Sequence, residues 1–315
     1  MERRRLGSTG ATVGVVGLGT STWGLGTGPQ EAGEHVAMLL DAGGNVVDVD
    51  PSTTDPAILR DAIVGAGVRP EIFLSLRLPA AESRGSLLSH LDAALGSLGI
   101  DHADLWMIEG WADGLPWEEI VSALAVAQQT GRAMYVGLAP REPWQASLVA
   151  GALASHADRS DLAALCFPFS LLDVTSAGPY RDIADLLRLG IIASWSLAGG
   201  VLTGKYRHAT PPDSRGAGER YADRLHRYRE PWARPVVEGL SAAAEGLGVP
   251  TGSLALAWLR EQPHVATTLV GARTAHQWRA ALDSAHVAVP SEIRHVLDEV
   301  ATQASHVGEN AYEDT

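Results

Sequence analysis

Short, nearly continuous apolar runs recur along the chain, separated by stretches in which apolar residues return every third or fourth position. The first kind of run fits a strand covered on both faces, and the second fits an amphipathic helix. Taken in order, residues 6–10 and 13–20 predict a small hairpin running into a first strand, and 31–40 predict a helix. Further strands are expected over 45–49, 72–78, 103–108, 133–138, 163–167, 191–195 and 267–270. Helices are expected over 56–64 (with Asp55 as N-cap), 86–98, 117–129, 143–155, 180–189 and 253–261. Eight strands joined by helical crossovers predict an α/β fold, a closed (β/α)8 TIM barrel spanning 1–315 as one domain. An N-terminal hairpin caps it, and a C-terminal helix is expected over 291–302. Two stretches break the rhythm. Residues 207–234, rich in Arg, Pro and Gly, read as a long surface loop over one barrel mouth, and 308–315 read as a mobile tail.

Within this frame the stretch 45–54 draws attention, because a strand ends there in Asp48 and Asp50. Carboxylates at the C-terminal end of a barrel strand sit at the mouth where barrel chemistry occurs. Along 103–109, alternation places Leu105, Met107 and Glu109 on one face and Trp106 on the other, toward the helices. Trp23 and Trp111, just past strand ends, are candidates to line an apolar ligand site.

Composition narrows the partners. With 24 basic and 37 acidic residues the net charge is −13, which repels nucleic acid and anionic membranes. The amino terminus MERRRLGSTG has no apolar core of a leader, and no run of about 18 apolar residues occurs, so a soluble, cytoplasmic protein with a small-molecule ligand is expected. Cys166 is the lone cysteine, and none of the 11 histidines shows a metal-ligand spacing, so no metal site is expected. Arg215, Arg220, Arg224, Arg227 and Arg229 read as a solvated face. Lys205 is the only lysine, and no tyrosine precedes Tyr135.

Three segments carry a resemblance: Arg5-Leu6-Gly7 with Val16-Gly17-Leu18-Gly19-Thr20; Leu197 to Tyr206; and Leu254 to Leu259 leading to Val270-Gly271-Ala272-Arg273-Thr274. Together they resemble the aldo-keto reductase family over about Arg4 to Leu297. The resemblance implies a barrel that transfers hydride from NADP(H) to a carbonyl, using an Asp, Tyr, Lys and His tetrad. Asp48 occupies the aspartate position. Thr53, Arg77 and Glu109 occupy those of the tyrosine, lysine and histidine, so the proton-donating phenol and its activating lysine are replaced. A threonine alcohol is too weak an acid to substitute, and Arg77 stays protonated. For the cofactor the resemblance implies Trp195, Ser196, Leu197, Gly199, Leu202, Lys205, Gly271, Arg273 and Gln277. At the nicotinamide end the usual partners become Ala139, Pro140, Cys166 and Ser194, and a bulge is needed to turn Trp195 inward. Near the adenine end Ala280 and Ala281 replace a Glu-Asn pair.

Three functions follow as expectations. The first is a remodelled oxidoreductase, NADP(H)-dependent, reducing a carbonyl or activated double bond. The second is a non-redox acid/base enzyme using Asp48 and Glu109, and the third is a catalytically inactive, ligand- or cofactor-binding regulatory protein.

Overall fold

The computed structural model describes residues 1–50, 53–112, 114–155, 161–207 and 221–313, leaving aside the side chains of 222–224 and 307–313. Eight parallel strands close into a barrel in the order β10-β3-β4-β5-β6-β7-β8-β9. They are β3 (Val16–Gly19), β4 (Val46–Val49), β5 (Phe73–Pro79), β6 (Ala103–Glu109), β7 (Ala133–Ala139), β8 (Leu162–Pro168), β9 (Gly190–Ser194) and β10 (Val265–Val270). Helices α1 (Pro29–Asp41), α2 (Pro56–Arg60), α3 (Arg84–Leu98), α4 (Trp117–Gln129), α5 (Pro143–Ser155), α6 (Val174–Leu187), α8 (Arg234–Leu247), α9 (Thr251–Arg260) and α10 (Ala275–Asp283) surround it. The short α7 (Ala222–Arg227) precedes α8, and α11 (Ser291–Glu313) ends the chain. Asp55 caps α2 as expected, accepting from the Ala57 N–H at 2.9 Å, and the helix then widens into one π turn over Asp61–Gly65.

The strands bury both faces, which explains why their sequences alternate so little. Toward the helices lies one apolar layer containing Trp106, Trp258 and Trp278. Inside the barrel lies a second, with Leu6, Val46, Phe73, Leu105, Met107, Cys166, Ile192 and Leu269. Two-residue periodicity then carries the inward face upward from Val46 to Asp48, from Phe73 to Ser75 and Arg77, and from Met107 to Glu109. The parallel register sets Asp48 opposite Ser75 and Arg77 opposite Met107.

The floor is closed by the hairpin β1 (Arg3–Arg5) and β2 (Thr12–Gly14). Its turn carries Gly7 at φ +58°, where a Cβ would stand 2.6 Å from the Gly190 nitrogen and 2.7 Å from the Arg188 carbonyl. Only glycine fits there, and the approach lets Leu6 plug the interior with no exposed surface.

Several boundaries differ from the sequence expectation. Strand β9 stops at Ser194, because Trp195 takes a left-handed backbone at φ +52°. Helix α6 starts at Val174, ahead of Pro179, since Ala177, Ile183 and Ala184 pack on the core on both sides of the proline. The expected surface loop 207–234 is corrected over its described part: it forms α7 and a 3-10 turn at Pro231–Ala233, and it buries Leu225, Tyr228 and Ala233. Of the arginines there, Arg215 and Arg220 and the side chain of Arg224 lie outside the described residues. The expected tail 308–315 continues α11 as helical backbone to Glu313, and 314–315 lie outside the described residues.

Candidate active site

At the C-terminal mouth the buried carboxylate of Asp48 is held from two sides. Its Oδ1 accepts from the Ser75 hydroxyl at 2.9 Å, and its Oδ2 accepts from Arg77 Nη2 at 2.9 Å. The other arm of the guanidinium, Nη1, donates to both oxygens of Glu109 at 3.2 Å. Arg77 therefore bridges two acids donated by neighbouring strands. Burial alone would lower its pKa, but Asp48 and, less strongly, Glu109 hold it well above the ordinary guanidinium value. Asp48 is 2% exposed whereas Glu109 is 44% exposed, so one acid anchors the arginine and the other presents its charge to the cavity.

Thr53, at the phenol position, does not reach this cluster as a donor. Its hydroxyl donates to the Asp50 carbonyl at 3.1 Å, which closes the turn after β4. Beneath Arg77 the Cys166 thiol is buried, and burial raises its pKa to about 12 against an opposing pull from Arg77 and a Ser194 hydrogen bond. It is a protonated interior side chain.

Asp48, Thr53, Arg77 and Glu109 open into one cleft of about 490 Å³, whose opposite wall comes from the segment after β9, the start of α9 and the turn after β10. Trp195, Ser196, Leu197, Gly199, Lys205, Gly271, Arg273 and Gln277 all line it. The left-handed turn at Trp195, rather than a bulge, swings that ring to the cavity, where it packs near Tyr221 and Tyr228 at 5.9 and 6.3 Å. Gly199 and Gly200 follow at φ +66° and +98°; a Cβ on Gly200 would stand 2.7 Å from Lys205 Nζ. Arg273 is braced through its own N–H, which donates to the Gln277 side chain at 3.0 Å.

Three expected site residues, Leu202 for the cofactor and Trp23 and Trp111 for the substrate, lie away from the cleft. Leu202 is fully buried and does not line the cleft, because its turn points it at the helical layer. Trp23 is likewise wholly buried in that layer. Trp111 packs beside Trp144 at 5.7 Å, and its indole N–H donates to the Leu115 carbonyl at 3.0 Å, so it braces the β6–α4 loop outside the cleft. Conversely, the cleft recruits Gly200, Tyr221, Thr251, Ser253 and His276, none of which was singled out from the sequence. A signal existed for two of them: Pro250-Thr251-Gly252-Ser253 is the opening of a helix before an apolar run, and helix openings offer free N–H groups.

The second wall is suited to an anion: Lys205, Arg273 and His276 line it, and α9 opens onto it without a side-chain cap. At the first wall the donor set differs: the Arg77 guanidinium bonds the carboxylates of Asp48 and Glu109. Among the described residues no cluster of His, Cys, Asp and Glu could hold a metal, and no helix is long and apolar enough to cross a membrane.

A barrel with an acid at the end of its second barrel strand and a glycine-rich, cationic wall opposite defines a class of oxidoreductase-like barrels. The sequence model of the aldo/keto reductase family matches residues 15–301, and the chain belongs to that family. It is similar to "Uncharacterized oxidoreductase YrpG" of Bacillus subtilis (strain 168), 26% identical over 95% of this chain and 96% of that protein. It is also similar to "Protein tas" of Escherichia coli (strain K12), 24% identical over 93% and 95% of the two chains. A third relative, "Probable voltage-gated potassium channel subunit beta" of Arabidopsis thaliana, is 29% identical over 95% of each chain.

Proposed function

We propose that this chain is an NADP(H)-dependent oxidoreductase that adds hydride to an electrophilic double bond, with proton chemistry remodelled relative to its family. The observation that carries this reading is the single cleft that joins a cationic, amide-lined wall to the Asp48–Arg77–Glu109 cluster. When bound, the cofactor supplies hydride. Arg273, His276, Lys205 and the opening of α9 are the groups to hold its phosphates, and Trp195 is the surface for its flat ring. At the other wall Arg77 holds positive charge where a substrate heteroatom gains electron density. Thr53, engaged with the Asp50 carbonyl, leaves protonation to solvent.

Titration with NADPH, followed by quenching of tryptophan fluorescence and by calorimetry, tests the reading. Saturable binding is expected, weakened about tenfold or more by Arg273→Ala, since a charge-assisted contact to phosphate contributes roughly 1.5–3 kcal/mol. Absence of binding at millimolar NADPH refutes it. A second reading, a cofactor-binding regulatory protein without turnover, draws support from the engaged Thr53 hydroxyl. Tight NADPH binding with no reduction of any electrophile would favour it.

A further inference from the structure

The indole that faces the cleft is held in an unfavourable conformation. Trp195 leaves β9 with φ +52°, a left-handed backbone that a bulky side chain keeps only where its surroundings over-determine it. Two bonds hold the main chain of the turn: the Ala198 N–H donates to the Trp195 carbonyl at 2.6 Å, and the Ser196 hydroxyl donates to the Ala193 carbonyl at 2.8 Å. They leave the plane of the indole to its neighbours.

Those neighbours come from α7 and the residues that flank it. Tyr221 meets the Trp195 ring edge-on at 5.9 Å, and Tyr228 lies at 6.3 Å with its plane tilted by 33°. Leu225, between the two in sequence, is buried over Gly199, where a Cβ would stand 2.5 Å from its Cδ2. The α7 strap therefore seats on a turn that only glycine permits. Of the two tyrosines, Tyr228 is the one with a printed tie to the barrel: it is buried, and its phenol O–H donates to Asp173 Oδ1 at 2.7 Å. Asp173, equally buried, takes the Ser170 hydroxyl on Oδ2 at 2.7 Å, and the Leu172 N–H donates to Ser170 Oγ at 3.1 Å. A buried chain thus runs from the β8–α6 loop, through a carboxylate and a phenol, to the indole at the cleft wall. In a dry interior such charge-assisted bonds are strong and directional, so they fix where the phenol points.

We propose that Tyr228 is a positioning residue for the cofactor: anchored by Asp173 and Ser170, it sets the plane in which Trp195 meets the nicotinamide ring. The inference rests on the NADP(H) reading above. No bond forms or breaks in this role. Loss of the tie lets the indole leave that plane, and apparent affinity falls with the fraction of molecules that still hold it.

The test measures the NADPH Kd by calorimetry for the full-length wild type, Tyr228→Phe, Trp195→Ala and the double variant. Tyr228→Phe keeps the ring and removes the O–H, and it should weaken NADPH binding about fivefold or more. In the Trp195→Ala background the same change should alter the Kd by less than about twofold, since Tyr228 acts through the indole. The fragment 2′,5′-ADP, which lacks the nicotinamide, should bind wild type and Tyr228→Phe equally, whereas a general loosening of the fold would weaken both ligands. If Tyr228→Phe does not fold, Ser170→Ala loosens the same carboxylate from its other side and is held to the same pattern, with a loss of about threefold. An unchanged NADPH Kd in the single variant, equal losses with and without Trp195, or equal losses for NADPH and 2′,5′-ADP each overturn the inference while the cofactor reading stands. Absence of NADPH binding to the wild type removes both.

Discussion

Replacing Arg77 by methionine tests whether the cluster at the mouth is held by its buried half or its exposed half. Methionine keeps the aliphatic length but removes every donor, leaving Asp48, at 2% exposure, with the Ser75 hydroxyl alone. Removing one partner of a buried ion pair typically costs about 3–5 kcal/mol, because the remaining charge has neither water nor counter-ion. Glu109 is 44% exposed, so its bond to the same arginine behaves as a surface pair worth about 0–1 kcal/mol. Urea unfolding at pH 7 should therefore show Arg77→Met destabilised by about 3–5 kcal/mol and Glu109→Gln by about 1 kcal/mol or less. Equal losses for the two variants would refute the buried-anchor argument.

Further expectations concern other groups. Restoring the family residues with Thr53→Tyr and Arg77→Lys should not create an efficient aldehyde reductase, because the nicotinamide end is also altered at Ala139, Pro140 and Cys166; rapid NADPH-dependent aldehyde reduction by that double variant would contradict this. The Cys166 thiol, raised to about 12, should resist iodoacetamide at pH 8 in the folded protein and react on unfolding. Its contribution to stability is complete below the unfolded thiol pKa of about 8.5 and declines as pH rises above it, which alkaline denaturation of wild type against Cys166→Ala can measure. Burial lowers the His35 pKa despite a contact with the Thr274 backbone, so below about pH 6.5 the unfolded chain takes up a proton that the folded one refuses. Acid unfolding should accordingly shift to lower pH in His35→Phe if the ring packs; an unchanged profile would remove His35 from the account.

The barrel was legible because each strand is covered on both faces, so apolar runs and amphipathic stretches alternate with little noise. Trp106, assigned outward by parity alone, lies in the helical layer as that parity requires. The family resemblance brought Asp48, Arg77 and Glu109 to one site, although it could not show that Arg77 would touch both acids. Trp195 was harder, since a left-handed backbone at a tryptophan has no local sequence signature and is set by packing on Tyr221 and Tyr228. Trp23 and Trp111 were misplaced for a related reason: position just beyond a strand end fixes height in the barrel but not the direction of the side chain. The α7 region was hidden by its composition, in which arginines outnumber the few apolar residues, Leu225, Tyr228 and Ala233, that reach the core.

Gly7 sits against Gly190 and Arg188, while β3 pairs with β10. The opening residues pair early with each other and with the segment before β4, but Gly7 and Leu6 close against Gly190 only once β9 exists, and β3 gains its second neighbour only with β10. During synthesis the amino-terminal plug therefore waits for the later strands before it can seat. Such wide sequence separation slows folding and keeps apolar surface open to solvent. Truncating the first few residues should therefore hinder the final closure of the barrel more than the formation of its central strands.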